Sequence, residues 1–127
     1  MVRDEAYYRS ITEVIIGCAY KVGNGLGTGF LEKVYENALC YEINKSEFKV
    51  QQQHPINVFY ENVIVGEYFA DLLVQDEVVV ELKAVKALGP SHFAQCMNYL
   101  KATGKKVCLL INFGAQKLEI KRIVNSL

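Results

Sequence analysis

Asp71-Leu72-Leu73-Val74-Gln75-Asp76-Glu77-Val78-Val79-Val80-Glu81-Leu82-Lys83 holds two apolar runs separated by a polar triplet. Runs of this length, rich in β-branched residues and split by a polar turn, read as a β-hairpin. With the turn centred on Asp76, Val74 opposes Val78, Leu73 opposes Val79 and Asp71 opposes Glu81. The two acids then share one face, with Cβ atoms about 5 Å apart, an arrangement that destabilises a sheet unless something compensates. Lys83 lies two residues past Glu81, so the period of two turns it to the same face. One reading is that Asp71 and Glu81 fix a divalent cation. Mg²⁺ takes hard oxygen ligands, often one or two carboxylates completed by waters and phosphate oxygens. Lys83 would then orient a bound water or offset phosphate charge. The other reading is a structural cluster in which Lys83 neutralises Glu81 and Asp71 faces solvent.

Upstream, apolar residues from Tyr7 to Val22 recur at steps of three and four, which predicts a helix over about 4–22. The glycine-rich stretch 23–29 separates it from a second helix over about 30–46. Glu32 and Glu36 are four apart on that helix and stack on one face. One of them could be aimed at the carboxylate pair, or both are solvated first-turn acids favoured by the helix dipole. A β-capable stretch over 48–60, interrupted by Pro55, leads through Glu61-Asn62 to a strand over 63–74, bent or bulged at Gly66. After the Val78–Ala84 strand, Gly89-Pro90-Ser91 opens a helix with Ser91 as candidate N-cap; Gly104 ends it. His92, Gln95 and Tyr99 form a polar stripe beside the apolar Phe93, Cys96, Met97 and Leu100. The run Val107-Cys108-Leu109-Leu110-Ile111 suits a strand buried on both faces, and 117–124 an edge strand. The order ααβββαββ makes an α/β (α+β) domain with a mixed sheet flanked by helices.

The chain has 127 residues, 51% hydrophobic and 22% charged, which fits one globular domain over 1–127 and excludes a disordered chain. No apolar run is long enough to span a bilayer, and no signal peptide is visible, so a cytoplasmic protein is expected. Cys18, Cys40, Cys96 and Cys108 are too widely spaced for a zinc motif and read as buried free thiols. The formal net charge of zero hides a split. Residues 1–81 carry 6 Lys/Arg against 13 Asp/Glu, whereas residues 82–127 carry 8 against the single acid Glu119. A basic half suits a polyanion partner, although two halves of opposite sign could also neutralise each other in the fold.

These segments together resemble the PD-(D/E)XK nuclease superfamily and, more narrowly, the small bacterial GxxExxY proteins. The likeness rests on Gly29-x-x-Glu32-x-x-Tyr35, Gly66-Glu67-x-x-x-Asp71-Leu72-Leu73-Val74, Val80-Glu81-Leu82-Lys83-Ala84, His92-x-x-Gln95-x-x-x-Tyr99-Leu100 and Leu110-Ile111-Asn112-Phe113-Gly114, over roughly residues 5–125. Ala70 stands where the superfamily name has proline. The resemblance implies a restriction-endonuclease-like core with Asp71, Glu81 and Lys83 on the active face and Glu32 as a supporting acid. It implies Mg²⁺ or Mn²⁺ held by Asp71, Glu81 and Glu32. Gln95 and Tyr99 match an element that, in the recombination-exonuclease branch, organises the site next to DNA.

The leading expectation is a metal-dependent nuclease acting on phosphodiesters, with DNA favoured over RNA. Lys86, His92, Lys101 and Lys105 are the candidate nucleic-acid contacts, and the cations after position 82 should stay free enough to form a positive rim near Lys83. Phosphate contacts of this kind set affinity without reading sequence. Two alternatives stand beside it: a nuclease-like fold used only for binding or assembly, and a small accessory subunit marked by an exposed apolar patch. A homodimer through a strand edge or the first helix is left open.

Overall fold

The first helix, α1 (Glu5–Leu26), buries Tyr8, Ile11, Ile15, Cys18, Ala19 and Val22 along one stripe, and the Asp4 carboxylate caps it by accepting from the Tyr7 N–H. The computed structural model describes residues 2–127. Helix α1 runs one turn further than its apolar periodicity predicts. Gly23 and Gly25 stay helical, each a cost of only about 1 kcal/mol, and the helix stops at Gly27, whose φ of 69° is open to glycine. Helix α2 (Glu32–Lys45) buries Tyr35, Glu36, Leu39 and Ile43.

The strands follow: β1 (Val50–Tyr60), β2 (Val63–Val74), β3 (Val78–Lys83), then helix α3 (Pro90–Thr103), β4 (Val107–Asn112) and β5 (Glu119–Val124). They form one sheet in the order β1-β2-β3-β4-β5, parallel only between β3 and β4. The helix order and the mixed sheet are those expected. Pro55 does not break β1, which is an edge strand, where a sheet tolerates proline. Glu61 and Asn62, both at positive φ, turn the β1–β2 hairpin, and the register shifts between Val58 and Phe59, opposite Gly66. Helix α3 is capped by Gly89, not Ser91. Pro90 fixes the first helical position, and His92 Nδ1 accepts from the Gly89 N–H at 3.0 Å.

Two apolar layers sandwich the sheet. Val74, Val78, Val80, Leu82, Leu109 and Ile111 pack against α1 and α2, whereas Leu73, Val79, Cys108 and Leu110 pack against Cys96, Tyr99 and Leu100 of α3. All six β4 residues are buried, as the uninterrupted run predicts. Cys18, Cys96 and Cys108 are buried, Cys40 half-buried, and all four are free thiols.

Tyr35, the last residue of Gly29-x-x-Glu32-x-x-Tyr35, is fully buried and acts as a lock. Its hydroxyl donates to the Gly27 carbonyl at 2.7 Å and accepts from the Phe30 N–H at 3.2 Å, and its ring stacks on Phe113 at 4.7 Å. Tyr35→Phe keeps the stack and strands two backbone groups. It should cost about 1–3 kcal/mol, read as a lower urea midpoint with unchanged slope. An unmoved midpoint would mean that these two bonds do not hold the loop.

Candidate active site

Val74 opposes Val78, Leu73 opposes Val79 and Leu72 opposes Val80, the register read from the sequence. Beyond Leu72 the ladder gives way to a reciprocal clasp. The Asp71 N–H donates to Glu81 Oε1 at 3.1 Å, and the Leu82 N–H donates to Asp71 Oδ2 at 2.8 Å. The carboxylates thus replace ladder carbonyls at the point where β2 and β3 part. One oxygen of each is committed to backbone. Of the others, Asp71 Oδ1 has only a long contact from Gln53 at 3.4 Å, and Glu81 Oε2 has no hydrogen bond among the described residues.

Glu81 is 3% exposed. Burial first, and then the facing Asp71 charge, push its carboxyl up to about 9. Burial also raises Asp71, against the Leu82 N–H that holds it down. Of the pair, Glu81 is the carboxyl that holds its proton the more tightly. A carboxyl raised by folding stabilises the native state below its ordinary value near 4.5, and that stability is lost as pH rises toward 9. In EDTA the protein should become less stable between about pH 5 and 9, and Glu81→Gln should flatten that slope. Thermal melts across the range check it; parallel curves for the two proteins would contradict the assignment of the proton.

Lys83 follows Glu81 by two residues, is half-buried, and its charge lowers Glu81, yet it forms no ion pair among the described residues. The structural reading, in which Lys83 is tied to Glu81, is not what the geometry shows. From α3, Gln95 Nε2 donates to the Tyr99 hydroxyl at 2.9 Å. Tyr99, in the polar stripe read from the sequence, is buried, and burial, then Glu81, raises its hydroxyl. Its own O–H has no acceptor among the described residues, so a donor is held beside the carboxylates.

The helix acids come out differently from the expectation that Glu32 is the supporting acid. Glu36 is 4% exposed and gathers Lys33 Nζ at 3.0 Å, Gln52 Nε2 at 2.7 Å and Gln53 Nε2 at 2.9 Å. Gln53 also reaches Asp71, so Glu36 is joined to the pair through one amide. Glu32 is exposed at the first turn of α2, makes no hydrogen bond among the described residues, and acts on Asp71 through its charge, after Glu36. Gln53 holds a φ of 53°, a left-handed backbone that is costly for a side-chain-bearing residue, and no local motif announces it.

Sequence reasoning also missed what Asn112 does. It is fully buried at the end of β4. Its Oδ1 accepts from the Val85 and Gly114 N–H groups, and its Nδ2 donates to the Val85 carbonyl and Glu119 Oε1, all within 2.8–3.0 Å. It thereby pins the segment that follows Lys83.

Among the expected contacts, Lys86 is exposed just past β3 and Lys101 lies on the outer face of α3. His92 spends Nδ1 on the helix cap. Lys105 lies past the far end of α3, where its charge reaches Asp76 in the β2–β3 turn, so it is not gathered with the carboxylates. Of the eight Lys/Arg after position 82, only Arg122 is ion-paired among the described residues, to Glu5 at 2.8 Å. The two halves do not cancel by pairing.

Residues 9–123 match the family model of the PD-(D/E)XK nuclease superfamily. The chain belongs to this superfamily. Two solved structures share its fold. An alkaline exonuclease (LHK-Exo) from Laribacter hongkongensis is similar at a TM-score of 0.54 and 14% identity, over 99% of this chain and 73% of that one. SSO0001 is similar at 0.56 and 15%, over 100% and 71%. No curated protein matches. Asp71 lies on β2, after Ala70, and Glu81 and Lys83 lie on β3. No helix among the described residues is long and apolar enough to cross a membrane.

Proposed function

We propose that this superfamily member is a divalent-metal-dependent nuclease that hydrolyses phosphodiester bonds in DNA. The observation that carries the reading is the clasp: two facing carboxylates, each with one oxygen not committed to backbone, beside a lysine that pairs with neither. Among the described residues no three His, Cys, Asp or Glu side chains form a ready-made cage. Two carboxylates with open positions fit Mg²⁺ or Mn²⁺, which complete their shells with water and phosphate oxygens. Asp71 and Glu81 would hold the ion, with Glu36 behind Gln53 and Glu32 supplying negative charge from α2. When bound, the ion lowers the pKa of a coordinated water so that hydroxide is available near neutral pH.

The chain's own groups do the rest. Glu81 would release its proton to solvent on joining Asp71 as a ligand. The Lys83 ammonium donates to the incoming water or to a non-bridging phosphate oxygen. The free Tyr99 O–H, held by Gln95, donates to the phosphate backbone. Lys86 and Lys101 lie where phosphates can be met without base reading. The test is incubation of the purified protein with linear, circular, single-stranded and branched DNA, and with RNA, in Mg²⁺, Mn²⁺ or EDTA. Cleavage in metal alone is expected. A protein that binds DNA and cuts nothing would be a binding module with a nuclease-like fold.

A further inference from the structure

Beyond Leu72, β2 loses β3 as a neighbour, and the distal parts of β1 and β2 continue as a two-stranded arm. The arm lies alongside α3 and leaves a groove of about 890 Å³ between them. Phe59 and Tyr68 form the arm's side of this groove, at 60% and 50% exposure, and Gln95, Asn98, Tyr99 and Lys101 form the helix side. The Tyr68 ring packs against the Tyr99 ring, with centroids 5.8 Å apart and planes tilted by 49°. Gly66 keeps the arm's wall thin, since a Cβ there would stand 3.2 Å from the Tyr68 ring.

From these observations we infer that the groove binds single-stranded nucleic acid, with bases stacked on Tyr68 and Phe59 and a phosphate on Lys101. Every base offers a π-face, so aromatic platforms in a cationic channel hold single strands without sequence preference. The charge is complementary: no Asp or Glu lines the groove, and Lys101 has no ion pair among the described residues. A duplex keeps its base faces stacked on one another, so a single strand is what can offer them to Tyr68 and Phe59. Tyr99, which lines this groove and is bonded to Gln95, also feels the Glu81 and Asp71 charges, so a strand lying here passes close to the carboxylate pair. The proposal rests on the nuclease reading only for where the strand is delivered. The aliphatic tip residues Val63 and Ile64, also exposed, do not line the groove.

The test measures binding in EDTA, where nothing is cut. Fluorescein-labelled oligo-deoxythymidylate, oligo-uridylate and a blunt duplex are titrated by anisotropy against wild type, Tyr68→Ala, Phe59→Ala and Tyr41→Ala. Tyr41 is exposed on α2, away from the groove. Single strands should bind more tightly than the duplex, and Tyr68→Ala and Phe59→Ala should each weaken them about tenfold, with Tyr41→Ala at wild-type affinity. The chain has no tryptophan, so quenching of tyrosine emission and photocrosslinking of iodouracil to Tyr68 give independent readouts. Equal affinity for strand and duplex, or unchanged binding by both variants, overturns the proposal. So does a wild type that sediments as a dimer broken by Tyr68→Ala, because a second copy would then fill the groove. If stacking is found and no metal-dependent cleavage is, the nuclease reading fails and this one stands; cleavage with no effect of Tyr68→Ala is the reverse.

Discussion

Asp71→Asn should abolish metal-dependent cleavage and leave the protein folded. The amide keeps an oxygen for the Leu82 N–H, so the clasp survives, while the charge that holds the cation is gone. Metal affinity should fall by at least about 100-fold, given that even second-shell losses cost 10–100-fold. Loss of the Asp71 charge also removes its push on the Glu81 carboxyl, a relief of about 0.2–1 kcal/mol felt in EDTA as pH rises and Glu81 ionises. Asp71→Ala loses the same activity but strands the buried Leu82 N–H, a penalty of about 1–3 kcal/mol that outweighs the relief. The two variants should therefore be equally dead and differ in melting temperature, Asn above Ala. Lys83→Ala separates chemistry from binding. It should retain metal affinity by calorimetry and lose about 100-fold or more in rate, the usual scale for one positioned donor. Wild-type cleavage by Lys83→Ala would remove the lysine from the mechanism.

Gly114→Ala should be the most damaging single methyl in the chain. A Cβ there would stand 2.4 Å from the Val85 nitrogen, 2.5 Å from the Ala84 carbonyl carbon and 2.6 Å from the Val85 carbonyl oxygen. All three are backbone, so no rotamer change can make room. The segment after Lys83 must move, and with it the Asn112 bonds to Val85. Overpacking costs about 1–3 kcal/mol and the broken buried bonds add to it. A fall in melting temperature of roughly 10 °C or more is expected, together with loss of cleavage as Lys83 shifts. A variant that melts with wild type would show that the segment can retreat freely.

The hairpin register was legible because its turn and both apolar runs are local, and a period of two leaves little freedom once the turn is placed. The buried β4 and the Gly104 terminus were legible for similar reasons. The register also placed Asp71 and Glu81 opposite one another, but it could not show the ladder ending there with carboxylates in place of carbonyls. The extension of α1 was missed because glycine weakens a helix without forbidding it, and tertiary packing decided the end. Glu32 and Glu36 share a helix face, and only the docking of α2 on β1 chooses the acid that Gln53 meets. Gln53 itself has no local signal, since its left-handed backbone is imposed from outside. The spacing put Tyr99 in a polar stripe but could not show how deeply it is covered, because the arm that helps to cover it comes from residues more than thirty positions away, Val58 to Tyr68.

The clasp also acts as a key for chain assembly. A one-residue slip of β2 on β3 would carry one acid of the pair into the apolar layer beneath α1 and α2, and would leave the Leu82 N–H without its acceptor. The mispaired sheet would bury an uncompensated carboxylate, which is among the costliest errors a core can contain. The same two side chains that suit phosphodiester chemistry therefore discriminate the native hairpin from its neighbours in register. Libraries that trade Asp71 or Glu81 for apolar residues should yield proteins with looser strand pairing and a greater tendency to aggregate, even where measured stability is unchanged.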